Sequence, residues 1–213
     1  MSAEGIVVGA DGVRRCWWGD SSPEYRPYHD REWGFPVGDD VRLFEKLSLE
    51  GFQAGLSWLT ILRKRDAFRR AFAGFDFTRI VRFGERDVAR LLGDPSIIRH
   101  RGKIEAVINN AHRAVELVAE HGSLAAFVWS FEPDARTGRL DRTTLSQLGQ
   151  TPESKMLARE LKRRGWRFVG PTTVYAFMQA MGLVNDHLDG CDARRAVERA
   201  RAGFERKPAG VNL

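Results

Sequence analysis

The sequence predicts an all-α protein. Apolar residues recur three and four positions apart along most of the 213-residue chain and almost never alternate, the period of helices rather than of strands. Asp and Ser precede several of these stripes, and Gly or Pro ends them, where helix termini need such residues. A composition of 43% hydrophobic and 29% charged residues supplies apolar volume for a packed core, and a chain of this length is served by one domain.

Asp39 and Asp40 announce a helix whose inward stripe is Val41, Phe44 and Leu47. A second runs from Ser57 through Trp58, Ile61, Leu62, Phe68 and Phe72, with Arg63, Lys64, Arg65, Arg69 and Arg70 making its outer face basic. Asp87 to Leu92 reads as a short helix closed by Gly93 and Pro95. Ile97 to His121 reads as a long one, with Ile104, Val107, Ile108, Ala111, Val115 and Val118 inward and Gly102 a candidate break. Phe127 to Phe131 is a short apolar segment, and residues 132–153, rich in Asp, Thr, Gly, Pro and Gln, are expected to form a long surface connection. Lys155 to Arg164, Thr172 to Met181 and Ala193 to Phe204 complete the helices. Residues 1–12 and 206–213 are expected to be disordered ends, leaving a domain over 13–205; no repeat or low-complexity stretch is apparent.

The net charge of +6 and a sequence pI near 9.7 favour a polyanionic partner, nucleic acid first. No apolar run approaches the roughly 18 residues of a membrane span. The start, MSAEGIVVGADG, has neither a basic n-region nor a long apolar one, so a cytoplasmic protein without membrane association is expected. Two cysteines at opposite ends of such a chain argue against a disulfide framework.

Three groups of residues carry chemistry. Cys16 stands near His29, and His187 three residues before Cys191, a spacing that puts the second pair on one face of a helical turn. Two imidazoles and two thiolates suit a tetrahedral structural zinc; two buried thiols and two surface histidines is the competing reading. The run Arg164-Gly165-Trp166-Arg167-Phe168-Val169-Gly170-Pro171-Thr172-Thr173 reads as a glycine-bounded hairpin, with Pro171 opening a helix whose free N–H groups face a ligand such as a DNA phosphate; an ordinary capped hairpin is the alternative. Tyr25, Tyr28, Trp33 and Trp58 surround Glu50 in sequence, a set that suits a planar cationic ring, against the simpler possibility of core tryptophans and a solvated carboxylate.

The segments YHDREWG (28–34), LEGFQAGLSW (49–58), RHRGKI (99–104), FVWSF (127–131) and RGWRFVGPTTVYAFMQAMGLVNDH (164–187), with Cys16 and Cys191, together resemble the 3-methyladenine DNA glycosylase I family from Arg15 to Cys191. The resemblance implies an all-α helix-hairpin-helix DNA glycosylase fold with a structural zinc site joining the N- and C-terminal segments through Cys16, His29, His187 and Cys191. It implies a DNA-anchoring hairpin over Trp166, Arg167, Phe168, Val169, Gly170 and Pro171. It implies a damaged-base pocket of Tyr25, Tyr28, Trp33, Glu50 and Trp58, in which Trp58 stacks, Glu50 and Tyr28 read the purine edge, and Glu50 is the catalytic candidate. The expected partner is double-stranded DNA containing alkylated bases, the expected product free 3-methyladenine, and the expected state a monomer.

Many helix-hairpin-helix glycosylases carry an aspartate in a Val-Asp-Thr-His-like stretch, and the lyases a lysine after the hairpin. This chain has Asn185 and Thr172 there, which fits the resemblance and implies hydrolysis without lyase activity. Methylation at N3 makes the base cationic and the glycosidic bond weak, so a strong general acid is unnecessary and selection of the flipped base is the main task. Two rivals make other demands. A DNA clamp gains nothing from four aromatics around a glutamate. A zinc deaminase needs H-x-E and C-x-x-C, which are absent.

Overall fold

The computed structural model describes residues 5–135 and 138–206. Among these residues the chain forms a short antiparallel hairpin, β1 (Ile6–Val8) and β2 (Arg14–Cys16), and then eleven α-helices. These are α1 (Tyr25–Arg31), α2 (Asp40–Gln53), α3 (Trp58–Ala71), α4 (Phe77–Ile80), α5 (Glu85–Gly93), α6 (Arg101–His121), α7 (Leu124–Trp129), α8 (Arg142–Gln147), α9 (Pro152–Arg163), α10 (Pro171–Ala180) and α11 (Asp192–Ala202). The fold is therefore mostly helical, as the periodicity predicts, with one small sheet.

The long helices begin where side chains can satisfy their first N–H groups. Asp39 accepts from the Arg42 N–H at 2.8 Å, Ser57 from Thr60 at 3.2 Å and Thr151 from Ser154 at 3.2 Å. α2 is the centre. Every residue from Leu43 to Phe52 is buried, and α3, α6, α7 and α10 all pack against it. A helix enclosed on all sides cannot present a solvated face, so its polar residues Glu45, Lys46, Ser48 and Glu50 lie inside the protein. α9 and α10 form a helical pair that lays α10 on α2. Around them Phe44, Phe52, Phe68, Phe72 and Phe75 stack edge and face into the main core.

Several expectations need correction. Residues 5–12, expected in a disordered end, carry β1 and the turn into β2, where Ile6 pairs with Cys16 and Val8 with Arg14. The buried Arg15 holds that hairpin down by binding Asp30 at 2.7 Å and Asp11 at 2.7 Å. Residues 1–4, 136–137 and 207–213 lie outside the described residues. The 132–153 segment is not all irregular: it contains α8, capped by Asp141, and the start of α9. α6 starts at Arg101 rather than Ile97, because the His100 ring accepts from the Lys103 N–H at 3.2 Å and caps it. Gly102 thus sits in its first turn and breaks nothing. Val115, expected inward, is 40% exposed.

Gly182 ends α10 at φ +79°, and a Cβ placed on it would lie 2.5 Å from the backbone of Phe35 and Pro36. Both the left-handed backbone and the contact require glycine. Gly182→Ala is therefore expected to destabilise the protein by about 1–3 kcal/mol, the range for a non-glycine residue forced into that region. The check is a lowered urea midpoint at unchanged m.

Candidate active site

Cys16 at the end of β2, His29 in α1, and His187 and Cys191 just before α11 converge into one buried cluster whose ligand atoms all lie within 4.8 Å of one another. The two histidines are core residues, not surface ones. Cys191 Sγ is 3.5 Å from His187 Nδ1 and 3.6 Å from His29 Nε2, and Cys16 Sγ is 3.9 Å from His187 Nδ1. The outward nitrogens are already committed. His29 Nδ1 donates to Asp30 at 2.7 Å, and His187 Nε2 to the Trp33 carbonyl at 2.9 Å, so His29 Nε2 and His187 Nδ1 are the nitrogens that face the thiols. A hydrogen bond from Cys16, opposed by burial but helped by His187 and His29, holds the Cys191 thiol far below its ordinary range. Two sulfur and two nitrogen atoms gathered at one buried point are a set that could hold a metal ion.

Beside this cluster lies a cavity of about 340 Å³ lined by Trp17, Trp18, Tyr25, Tyr28, Trp33, Glu50, Gln53, Trp58, Ala176 and Gln179, and by Leu145, Ser146 and Leu148 from α8 and its end. All five residues expected to form the base pocket are brought together here. Tyr25 and Tyr28 come from α1, Trp33 from the turn after it, Glu50 from α2, and Trp58 from the first position of α3, fixed there by the Ser57 cap. The Tyr28 and Trp58 rings are 5.4 Å apart, tilted by 40°. Trp18, absent from the expected set, meets Tyr25, Tyr28, His29 and Trp33 at 4.9 to 6.3 Å and joins the aromatic wall to the Cys/His cluster.

Glu50 is not a solvated helix residue. It is 6% exposed and pairs with Lys46, one turn earlier on α2, at 2.7 Å. The same ammonium donates to the Tyr28 hydroxyl at 2.8 Å and lies 3.2 Å from the centre of the Trp58 ring. Burial pulls the Lys46 pKa down against the pull of Glu50, and burial, with the charges of Glu50 and Glu32, pushes Tyr28 well above the usual phenol range. The outer face of α3, basic in sequence, is largely tied up: Arg63 binds Glu24, Arg65 binds Glu32 and Arg69 binds Glu45, each within 2.8 Å.

The 164–170 connection is a tight turn between α9 and α10. Trp166 and Val169 are buried, so their side chains belong to the core and only their backbone can meet a ligand. Arg167 and Phe168 are exposed, with Phe168 at φ +55°. Asn110 of α6 pins the turn at two points, accepting from the Arg167 N–H at 2.8 Å and donating to its carbonyl at 2.9 Å. Gly170 caps α10, whose first residue is Pro171, and a Cβ there would meet nothing.

Comparison with known proteins gives this site its relatives. The model of the methyladenine glycosylase family matches residues 17–195. The chain belongs to that family. It is 46% identical over 183 residues to DNA-3-methyladenine glycosylase 1 of Escherichia coli K12, covering 84% of this chain and 96% of that protein. A crystal structure of 3-methyladenine DNA glycosylase I superposes with a TM-score of 0.78 at 48% identity, over 84% of this chain and 98% of that one. A tyrosine-to-phenylalanine variant of 3-methyladenine DNA glycosylase I, solved in complex with 3-methyladenine, superposes with a TM-score of 0.79 at 34% identity, over 84% and 97%.

For a methyladenine glycosylase, three features of the site were not read from the sequence. Lys46 sits at a position that a helical stripe through Phe44 and Leu47 leaves outward, and only the all-round burial of α2 brings it in. Asn110, a polar residue between the inward Val107 and Ala111, was the one available signal of a buried tether. The adjoining Asp186, buried and accepting from Tyr175 and Gln179, fixes an amide of the cavity wall. Asn185 donates to the Arg194 carbonyl at 3.0 Å.

Proposed function

We propose that this family member is a monofunctional DNA glycosylase that flips out 3-methyladenine and hydrolyses its bond to the sugar. The observation that carries the reading is the aromatic cavity closed by Glu50: stacked rings favour a flat cation, and the carboxylate accepts from its amine. In the reaction a water oxygen bonds to C1′ as the C1′–N9 bond breaks. The bonding pair goes to the base, cancels its positive charge, and the water loses a proton to solvent. Glu50 recognises the base, and Trp58 stacks on it. The turn from α9 to α10 serves as a helix-hairpin-helix anchor that meets phosphates through backbone N–H groups. Thr172 stands where lyases hold lysine, and Lys46 is committed to Glu50, Tyr28 and Trp58, which supports simple hydrolysis.

Zinc is the proposed ion of the Cys/His cluster. Zn–S bonds of about 2.3 Å and Zn–N bonds of about 2.0–2.1 Å at tetrahedral angles place S and N about 3.6 Å apart; the two Cys191–histidine separations have that length, and Cys16 Sγ stands 3.9 Å from His187 Nδ1. Four protein ligands leave no open position, so the ion would brace the termini and take no part in the reaction.

The first test is incubation with alkylated duplex DNA and identification of the released base, expected to be 3-methyladenine. Trp58→Ala should weaken binding of the free base by about 1–3 kcal/mol, the usual worth of a base–aromatic stack. Borohydride should trap no protein–DNA adduct; a trapped adduct would overturn the assignment of simple hydrolysis. Elemental analysis of protein purified without added metal should give about one zinc per chain, as a single four-ligand site requires. Gly170→Val, which fits the fold, should weaken undamaged-duplex binding by roughly 1.5 kcal/mol, the low end for a hydrogen bond to a charged group. Its zinc content should not change.

A further inference from the structure

We propose that Lys46 is the positioning residue that sets the hydrogen-bond polarity of the base site, fixing Tyr28 as a donor and the second oxygen of Glu50 as an acceptor. The inference rests on the base-excision reading above and deepens it.

An ammonium has three donors and no acceptor. Lys46 Nζ spends one donor on Glu50 Oε1 at 2.7 Å and one on the Tyr28 hydroxyl oxygen at 2.8 Å, and its charge rests 3.2 Å from the centre of the Trp58 ring. Tyr28 can only accept from this partner, so its own proton is turned elsewhere. Glu50 is engaged through Oε1, and among the described residues no hydrogen bond to its Oε2 is seen, which leaves that oxygen for the base. Tyr28, Glu50 and Trp58 all line the 340 Å³ cavity, whereas Lys46 lines the small adjoining one formed with Tyr28, Trp58, Glu32, Glu45 and Arg65. The lysine therefore acts from behind the wall. What it leaves facing the cavity is one hydroxyl donor and one carboxylate acceptor around a stacking ring. An aminopurine edge has the complementary pair, an amine donor beside a ring-nitrogen acceptor.

The placement is not that of a surface lysine whose charge happens to fall inward. Lys46 is 6% exposed, and the neighbouring charges are already matched, Glu32 with Arg65 and Glu45 with Arg69. Glu50 is thus the one carboxylate with which Lys46 forms an ion pair in the described residues. Removing either member alone strands the other in a site with little water. Glu50→Gln by itself consequently perturbs two groups, and only the double variant separates them.

The experiment compares K46M, K46R, E50Q and K46M/E50Q for free 3-methyladenine affinity by tryptophan fluorescence, for kcat and KM on methylated duplex, and for undamaged-duplex affinity. K46M should lose about tenfold or more in base affinity, the loss expected when hydrogen bonds to a charged group go. The loss should appear in KM more than in kcat, undamaged-duplex binding should not change, and K46R should recover most of it. In the E50Q background K46M should cost clearly less than in the wild-type background, because only its hold on the Tyr28 hydroxyl is left to lose. Base affinity in folded K46M equal to wild type, or the same loss in both backgrounds, would overturn the proposal. Should K46M fail to fold, 15N-lysine spectra of the wild-type protein decide: one ammonium signal shifted by the Trp58 ring should move as 3-methyladenine is added, and a signal that stays put at saturation counts against it. A wild-type protein that releases no 3-methyladenine is a failure of the excision reading itself and is seen before any variant is made.

Discussion

The enclosure of α2 on all sides is the constraint on which the rest depends. A helix that is buried from Leu43 to Phe52 yet carries Glu45, Lys46, Ser48 and Glu50 must find a partner for each charge, because an isolated buried ion is far more costly than a paired one. The partners come from the helices packed around it. Arg69 of α3 takes Glu45, Tyr28 of α1 joins Lys46 and Glu50, and Lys103 of α6 donates to the carbonyls of Phe52 and Ala54 at the far end. Pairing these charges thus fixes where α1, α3 and α6 sit, and the functional cavity is the space left at that junction. Its carboxylate, Glu50, stands on the most enclosed helix of the fold, which suits a site that must discriminate by geometry.

α1 transmits a second constraint. Tyr28 and His29 are adjacent, so about 100° of helix rotation separates their side chains, and one faces the aromatic cavity while the other enters the Cys/His cluster. Asp30, the next residue, accepts from both His29 and Arg15, and Arg15 in turn secures the β1–β2 hairpin and Asp11. Burial would raise the Asp30 pKa, but these hydrogen bonds outweigh it and hold the carboxyl below its ordinary value. The β1–β2 hairpin, the Cys/His cluster and the wall of the cavity therefore meet at one short helix. The Cys/His cluster gathers residues separated by most of the chain, and it does so within one helical turn of the cavity wall.

How much of this was legible in the sequence follows from the length scale of each element. α2, α3, α6, α9, α10 and α11 span ten residues or more, enough periods for a stripe to stand out. α1, α4 and α8 span seven, four and six, and no stripe can establish itself in so few. α8 was hidden further by the polar composition around it, although Leu145 and Leu148 reach the cavity wall. The site residues Tyr25, Tyr28, Trp33, Glu50 and Trp58 were legible as aromatics around a carboxylate. Lys46 was not, because periodicity assigns one face inward and has no means of showing that a helix is covered on the other. The β1–β2 hairpin was missed for a related reason: three-residue strands held by Arg15 and its carboxylates show no alternation.

The Lys46–Glu50 pair also changes how selection for a cationic base is to be understood. A lone buried carboxylate would attract any cation, whereas a carboxylate already matched by an ammonium leaves the pair with no net charge. What then favours the methylated base is local: the free Glu50 oxygen accepts from the amine of a ring whose positive charge strengthens that donor, and the electron-rich faces of Trp58 and Tyr28 stack on it. Both contributions weaken when the glycosidic bond breaks, since the leaving electron pair makes the base neutral. The paired ammonium keeps Glu50 satisfied once the base departs, so emptying the cavity strands no charge. A site built this way holds the charged, attached base more firmly than the neutral, detached one, and that difference has the sign that both selection and release require.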